Sequence, residues 1–139
     1  MRKFRVRPRF GLRNFDIIEK LVEGKFLEDF KDIMTNYSGL SVYENQFIDK
    51  FGRDWELSAF DDFTSIFKLT KEFKVNGCGL KVPFAFDPGG WHYCLSFDKD
   101  TYGKILVNRW TDHSPEEQFV VIADSFEEFI NGLHEPSGL

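Results

Sequence analysis

Cysteine occurs only twice, at Cys78 and Cys94, and histidine three times, at His92, His113 and His134. One disulfide is formally possible, but a single pair in a chain able to bury its own core reads as reduced thiols of a cytoplasmic protein. The scarcity also restricts metal chemistry: a structural zinc site takes four such ligands, and no C-x-x-C or H-x-x-x-H spacing is present. The nearest approach is His92 and Cys94, two apart on an expected strand, with Cys78 one hairpin away. Nothing recognisable orients the imidazole and no helix start lowers the thiol pKa, so ordinary half-buried thiols are expected, with no metal and no cofactor. No apolar run approaches the roughly 20 residues of a membrane span. The opening MRKFRVRPRF lacks the apolar stretch and small-residue cleavage site of a secretory signal. G-x-G-x-x-G, Walker and G-x-S-x-G patterns are missing, and Gly89-Gly90 lacks the following helix and basic residue of a phosphate loop. The adjacent acids (Asp61-Asp62, Glu116-Glu117, Glu127-Glu128) and the Asp98/Asp100 pair read as a solvated face, because neighbours on a helix do not face each other. No catalytic residue is singled out, and the chain is not expected to be an enzyme.

What is abundant is aromatic surface and negative charge. The 139 residues favour one domain, long enough to bury roughly two-thirds of the surface its unfolded chain exposes. Seventeen Phe within a 42% hydrophobic composition exclude a disordered tail, which lacks the apolar area to offset chain entropy. The formal net charge is −5, unevenly spread. Residues 1–13 hold six basic groups and no acid, leaving 12 basic against 23 acidic groups in the remaining 126 residues, a net of −11. Such a body repels nucleic acid and attracts a basic partner, raising the encounter rate.

The first ten residues alternate Lys3, Arg5, Arg7, Arg9 with Phe4, Val6, Pro8, Phe10, the period of a strand, and Pro8 confines it to an edge strand or extended arm. Asn14 is placed to cap a helix carrying Ile17, Ile18, Leu21 and Val22. After Gly24 a second helix presents Phe26, Phe30, Ile33, Met34 and Tyr37. Residues 40–60 read as one or two short strands with loops. Asp61 or Asp62 then opens a helix with Phe63, Ile66, Phe67, Thr70 and Phe73 on one face. Four strands follow: Lys81–Phe86, Trp91–Phe97, Gly103–Trp110 and Phe119–Ala123, joined by short polar turns that favour antiparallel pairing. Ser125 and Glu128 form a capping box for a last helix with Phe126, Phe129, Ile130 and Leu133 inward. Helices, a run of strands and a closing helix make an α+β domain with an antiparallel sheet of about four to six strands. Residues 1–13 form the basic arm, 14–133 the domain and 134–139 a frayed tail.

In the C-terminal half VPFAFDPGG, WHYCLSFD, YGKILVNRW and IADSFEEFINGL form an ordered series, preceded by FLEDFKDIMTNYSGLSV. This series resembles the SUKH superfamily, the fold of yeast cell-wall regulators and of many bacterial immunity proteins. The matching positions are Pro83, Phe84, Gly89, Gly90, Trp91, Asp98, Ser125, Phe126 and Phe129. Phe26-Leu27 stands where the family usually has Leu-Pro, and Tyr37-Ser38-Gly39 replaces its Asn-Gly-Gly turn. Each matching residue has a structural explanation, so the series testifies to fold.

The resemblance implies an antidote: a cytoplasmic protein that binds and neutralises a cognate toxin domain, possessing no nucleic-acid or membrane partner. Many such toxins are nucleases with basic clefts, which a body of net −11 complements. Candidate partner-binding residues sit on the strand loops: Tyr102 and Trp110 as aromatic anchors beside Asp98, Asp100, Asp112, Glu116 and Glu117. The alternatives are a regulatory or scaffold module like the eukaryotic members, a nucleic-acid binder using the arginine-rich arm, and an enzyme built on Cys78, His92 and Cys94.

Overall fold

A computed structural model describes residue 3, residues 12–110 and residues 114–136. Among them run α1 (Leu12–Val22), α2 (Glu28–Tyr37), β1 (Gln46–Ile48), β2 (Asp54–Glu56), β3 (Ala59–Phe60), α3 (Phe63–Val75), β4 (Lys81–Phe86), β5 (His92–Ser96), β6 (Ile105–Asn108), β7 (Phe119–Ala123) and α4 (Phe126–Gly132). The main sheet has five strands in chain order, β3-β4-β5-β6-β7, each antiparallel to the next, and β1 pairs with β2 as a separate hairpin. The α+β class and the antiparallel sheet agree with the sequence reading.

Short connections impose this order. Asp87 closes the β4–β5 turn by accepting the Trp91 N–H on its carboxylate at 2.8 Å, while its own N–H meets the Trp91 carbonyl. Asp62, extended at φ −85°, caps α3 through the Ser65 N–H at 2.8 Å. Gly79 takes φ +95°, where a side chain would be strained and would also strike the Asp98 carboxylate at 2.5 Å.

The sheet is covered on both faces. Tyr93, Val107 and Val120 share one row across β5, β6 and β7, and His92, Asn108 and Phe119 share the next, pointing the opposite way. On the Tyr93 face lie α2 and α4: Phe30, Phe84, Phe126 and Phe129 meet there with ring centroids 5.0–6.0 Å apart, and Tyr93 stands 5.4 Å from Phe129. Phe73 of α3 covers the other face, 5.9 Å from both Phe119 and Trp110. Phe30, 1% exposed, touches Phe15, Phe26, Phe84 and Phe126, linking α1, the lead into α2, β4 and α4.

Several expectations are corrected. Of the basic arm, residues 1–2 and 4–11 lie outside the described residues, and α1 already begins at Leu12, so Asn14 lies inside the helix and does not cap it. The inward stripe of α1 is Phe15, Ile18, Glu19 and Val22, and Ile17 is 44% exposed. Phe26 precedes α2, its N–H bound by the buried Glu19 carboxylate at 2.7 Å. Residues 40–60 hold three short strands, and the second and third long strands are trimmed to His92–Ser96 and Ile105–Asn108. In the α4 cap, Ser125 accepts the Glu128 N–H, but the Glu128 carboxylate reaches the Asp124 N–H at 3.0 Å and not that of Ser125. The tail does not fray at once: His134 exchanges two backbone hydrogen bonds with Gln46.

The β1–β2 turn is organised by one acid. The Asp49 side chain, fully buried, accepts from the Phe51 N–H, the Arg53 N–H, Arg53 Nε at 2.6 Å and Trp55 Nε1 at 2.9 Å. Burial pushes its pKa up, but these four donors outweigh it and hold the carboxyl below its ordinary 3.8. A depressed acid contributes stability that is present above the ordinary value and lost as pH falls through the folded one.

Phe30→Ala removes the ring shared by four aromatic neighbours and should cost about 3–5 kcal/mol in urea unfolding. Phe51→Ala, at a site 71% exposed, should stay within about 0.5 kcal/mol. Asp49→Asn should cost roughly 1–3 kcal/mol at neutral pH. It should also flatten the stability loss below pH 3.8, read from thermal unfolding at stepped pH.

Candidate functional site

The loop residues expected to meet a partner separate into two groups. Asp98, Asp100 and Tyr102 lie on the β5–β6 connection, and Trp110, Glu116 and Glu117 on the β6–β7 connection. β6 runs between them, so Tyr102 and Trp110 stand at opposite ends of the sheet. Asp112 lies outside the described residues. Asp98 serves the fold: its carboxylate accepts the Leu80 N–H and pairs with Lys81 Nζ, both at 2.7 Å. Trp110 is half-buried at φ +51°, its indole N–H donating to the Gly90 carbonyl at 2.9 Å. Arg109 ties down the same loop through the Glu117 carbonyl. The Glu116 and Glu117 side chains are exposed on one 3-10 turn.

The Tyr102 end holds a cleft of about 300 Å³. Its floor is aromatic and aliphatic, from Phe26, Phe30, Leu95, Phe97 and Phe126, and its rim carries Lys25, Asp29, Asp124 and Glu127. Three segments meet to build it. The 24–27 turn lies flat on the Phe97 ring because Gly24 has no side chain; a Cβ there would fall 2.5 Å from that ring. Phe26 stacks on Phe30 at 4.4 Å and meets Phe97 edge-on at 5.4 Å. Tyr102 meets Phe97 edge-on at 5.6 Å. Leu27 and Tyr102 stand out into solvent, 75% and 60% exposed. Lys50 from the β1–β2 turn reaches the rim at Asp124, 3.6 Å away.

An apolar floor open to water beneath several carboxylates suits a side chain with an apolar stem and a cationic head. Of the residues singled out from the sequence, Tyr102 alone lines this cleft. Leu27, Asp29, Asp124 and Glu127 were not among the expected partner-binding residues, although a signal was present in two acidic first turns, Glu28-Asp29 and Glu127-Glu128, the second read only as a solvated face. Those acids also suit the helix dipoles, which disguised them.

The thiol and histidine cluster does not assemble a reactive centre. His92 Nδ1 faces Asp61 Oδ2 at 3.1 Å, and Cys94 makes only a weak 3.8 Å contact to the His92 carbonyl. Burial raises the Asp61 pKa, partly offset by the hydrogen bond and charge of His92. Complete burial pushes the Cys94 thiol far above its ordinary value, leaving a neutral, inert S–H. Among the described residues no group of three or more His, Cys, Asp or Glu is placed to hold a metal ion. With a chromogenic disulfide reagent, half-exposed Cys78 should react promptly in the native protein and Cys94 only on unfolding. Two equally fast thiols would contradict the burial of Cys94.

Among the described residues no helix is long and apolar enough to cross a membrane. No curated protein matches the chain. The family model SUKH_6, described as SMI1-KNR4 cell-wall, matches residues 13–130. That span contains α1 from its second residue, α2, α3, the whole five-stranded sheet and most of α4, together with every residue that lines the Tyr102 cleft. The chain belongs to the SUKH (SMI1-KNR4) family.

Proposed function

We propose that this chain is a non-catalytic immunity protein that binds a basic toxin domain and blocks its action. The observation that carries the reading is the Tyr102 cleft, with an apolar floor and a rim of three carboxylates beside Lys25, one of them also 3.6 Å from Lys50. Interfaces of this kind depend on a few aromatic or aliphatic anchors, here Tyr102 and Leu27, with charged pairs around them that guide encounter and set specificity. Asp100, on the turn beside Tyr102, adds to the acidic approach. Trp110, Glu116 and Glu117 form a second acidic corner at the far end, available to a partner large enough to span the sheet.

Family membership supports the reading in two ways: SUKH proteins are generally non-catalytic, and the bacterial members that this sequence resembles act as antidotes. The acids themselves divide along the same line. Asp49, Asp61 and Asp98 are committed to internal partners, whereas Asp100, Asp124 and Glu127 are exposed where a cationic surface can reach them.

The test is co-expression with the toxin-like C-terminal domain encoded immediately upstream, scored by growth rescue and co-purification. The expected result is rescue with a one-to-one complex. Its Kd should weaken about tenfold or more as salt rises from roughly 50 to 500 mM, since rim charges are screened. No rescue and no complex, with several unrelated proteins retained instead, would replace the immunity role with that of a scaffold module.

A further inference from the structure

The Tyr102 cleft is the mouth of a longer groove. A second depression of about 270 Å³ continues from it and shares Asp29, Phe126 and Glu127 with it. A third, of about 230 Å³, shares Ile33 and Ile130 with the second and ends at Tyr37, Val42 and Leu133. The three form one trough along the seam between α2 and α4, as long as the 10-residue α2 itself. Its base is apolar throughout: Ile33, Ile130 and Leu133 are each half-buried, packed on the core below and open above.

The acids that line it are Asp29, Asp32, Asp124 and Glu127 in the first two depressions and Glu44 in the third, against Lys25. Helix dipoles account for the acids in the two first turns. They do not account for Asp32, a turn further on, nor for Leu27 standing 75% exposed at the trough's entrance.

We infer that this trough receives an amphipathic basic helix of the partner, about three turns long, lying along the α2–α4 seam. This rests on the reading above, that the partner is a basic protein domain. Two adjacent helices leave between their side-chain ridges a channel that a third helix fills at about 8–10 Å between axes. An added strand would need free backbone groups along the trough, and its two long walls are helices. The apolar face of the incoming helix covers Leu27, Ile33, Phe126 and Ile130. Lysines or arginines on its flanks meet Asp29 and Asp32 on one side and Asp124 and Glu127 on the other.

The test separates the trough from the toxin. A synthetic amphipathic Leu/Lys helix of about fourteen residues is titrated into the labelled protein, with a Leu/Glu helix of equal length as control. Saturable amide shifts confined to α2, α4 and the 24–27 turn are expected with the first peptide and none with the second. Asp32→Lys with Glu127→Lys should weaken binding about tenfold or more, each reversal turning an attraction into a repulsion, while the melting temperature falls by only a few degrees as Glu127 leaves the positive end of α4. Glu72→Lys, exposed on α3 across the sheet from the trough, should stay within about threefold. Shifts elsewhere, or equal binding by the first double variant, overturn the trough. In co-expression, rescue by the wild type and equally by D32K/E127K would overturn the trough as the toxin's seat and leave the immunity role standing. Peptide binding in the trough without toxin rescue would do the reverse.

Discussion

The structure hangs on the ring of Phe30. It lies 4.4 Å from Phe26, 5.0 Å from Phe126, 6.0 Å from Phe84 and 6.4 Å from Phe15, so one side chain joins α1, the lead into α2, β4 and α4. Only the Phe26 contact is stacked; the other three are edge-to-face, the arrangement in which the positive edge of one ring meets the negative face of another. Because these rings come from four separate stretches of chain, the hub fixes how the helical layer sits on the sheet. The spacing between α2 and α4, and with it the width of the trough, is set by Phe30 and Phe126 beneath it. The same rings that close the core from below thus furnish the apolar floor above, which couples the binding surface to the stability of the domain.

Much of the architecture is legible along the chain because the local signals agree with one another. Lys81–Phe86 and Phe119–Ala123 are bounded by turn chemistry at both ends and appear with those limits. Asp62 and Ser125 cap where a short polar side chain precedes an apolar stripe. The misreadings arise where tertiary contact overrides local pattern. Phe26 fits the helical period of α2 but lies before the helix, its N–H taken by the buried Glu19 carboxylate. A carboxylate seven residues back is invisible to any periodicity rule. Asn14 has the chemistry of a cap, but Phe15 is drawn into the hub and the helix begins a turn earlier to carry it there.

The site was less legible than the fold for a related reason. Position on a strand loop says that a residue is exposed, but not which end of the sheet it occupies. Tyr102 and Trp110 look alike in sequence, both aromatic among acids, yet β6 holds them apart. Tyr102 rests on Phe97 and faces a cleft. Trp110 is pinned by Gly90 and Asn108 into the cluster around His92 and Phe73. Conversely, Asp29 and Glu127 are almost a hundred residues apart and come together only when α4 docks on α2.

The net charge of the body is therefore a coarse guide, and where each acid sits matters more. Glu19, Asp49, Asp61 and Asp98 are spent internally, each against a backbone N–H, a lysine, an arginine or a histidine. Isolated carboxylates so deep would be costly, so their partners are obligatory and their charge does not reach solvent at full strength. The acids that flank the trough are not buried: Asp32, Asp124 and Glu127 are exposed, Asp124 3.6 Å from Lys50, and Asp29 is half-buried with the Phe30 N–H on its carboxylate at 2.7 Å. Their field falls across a floor of low polarisability, where an approaching cation is less screened than over open water. Placing carboxylates beside exposed leucine, isoleucine and tyrosine thus does two things at once. The charge keeps an apolar groove soluble while it is empty, and it selects among apolar partners those that also carry positive charge.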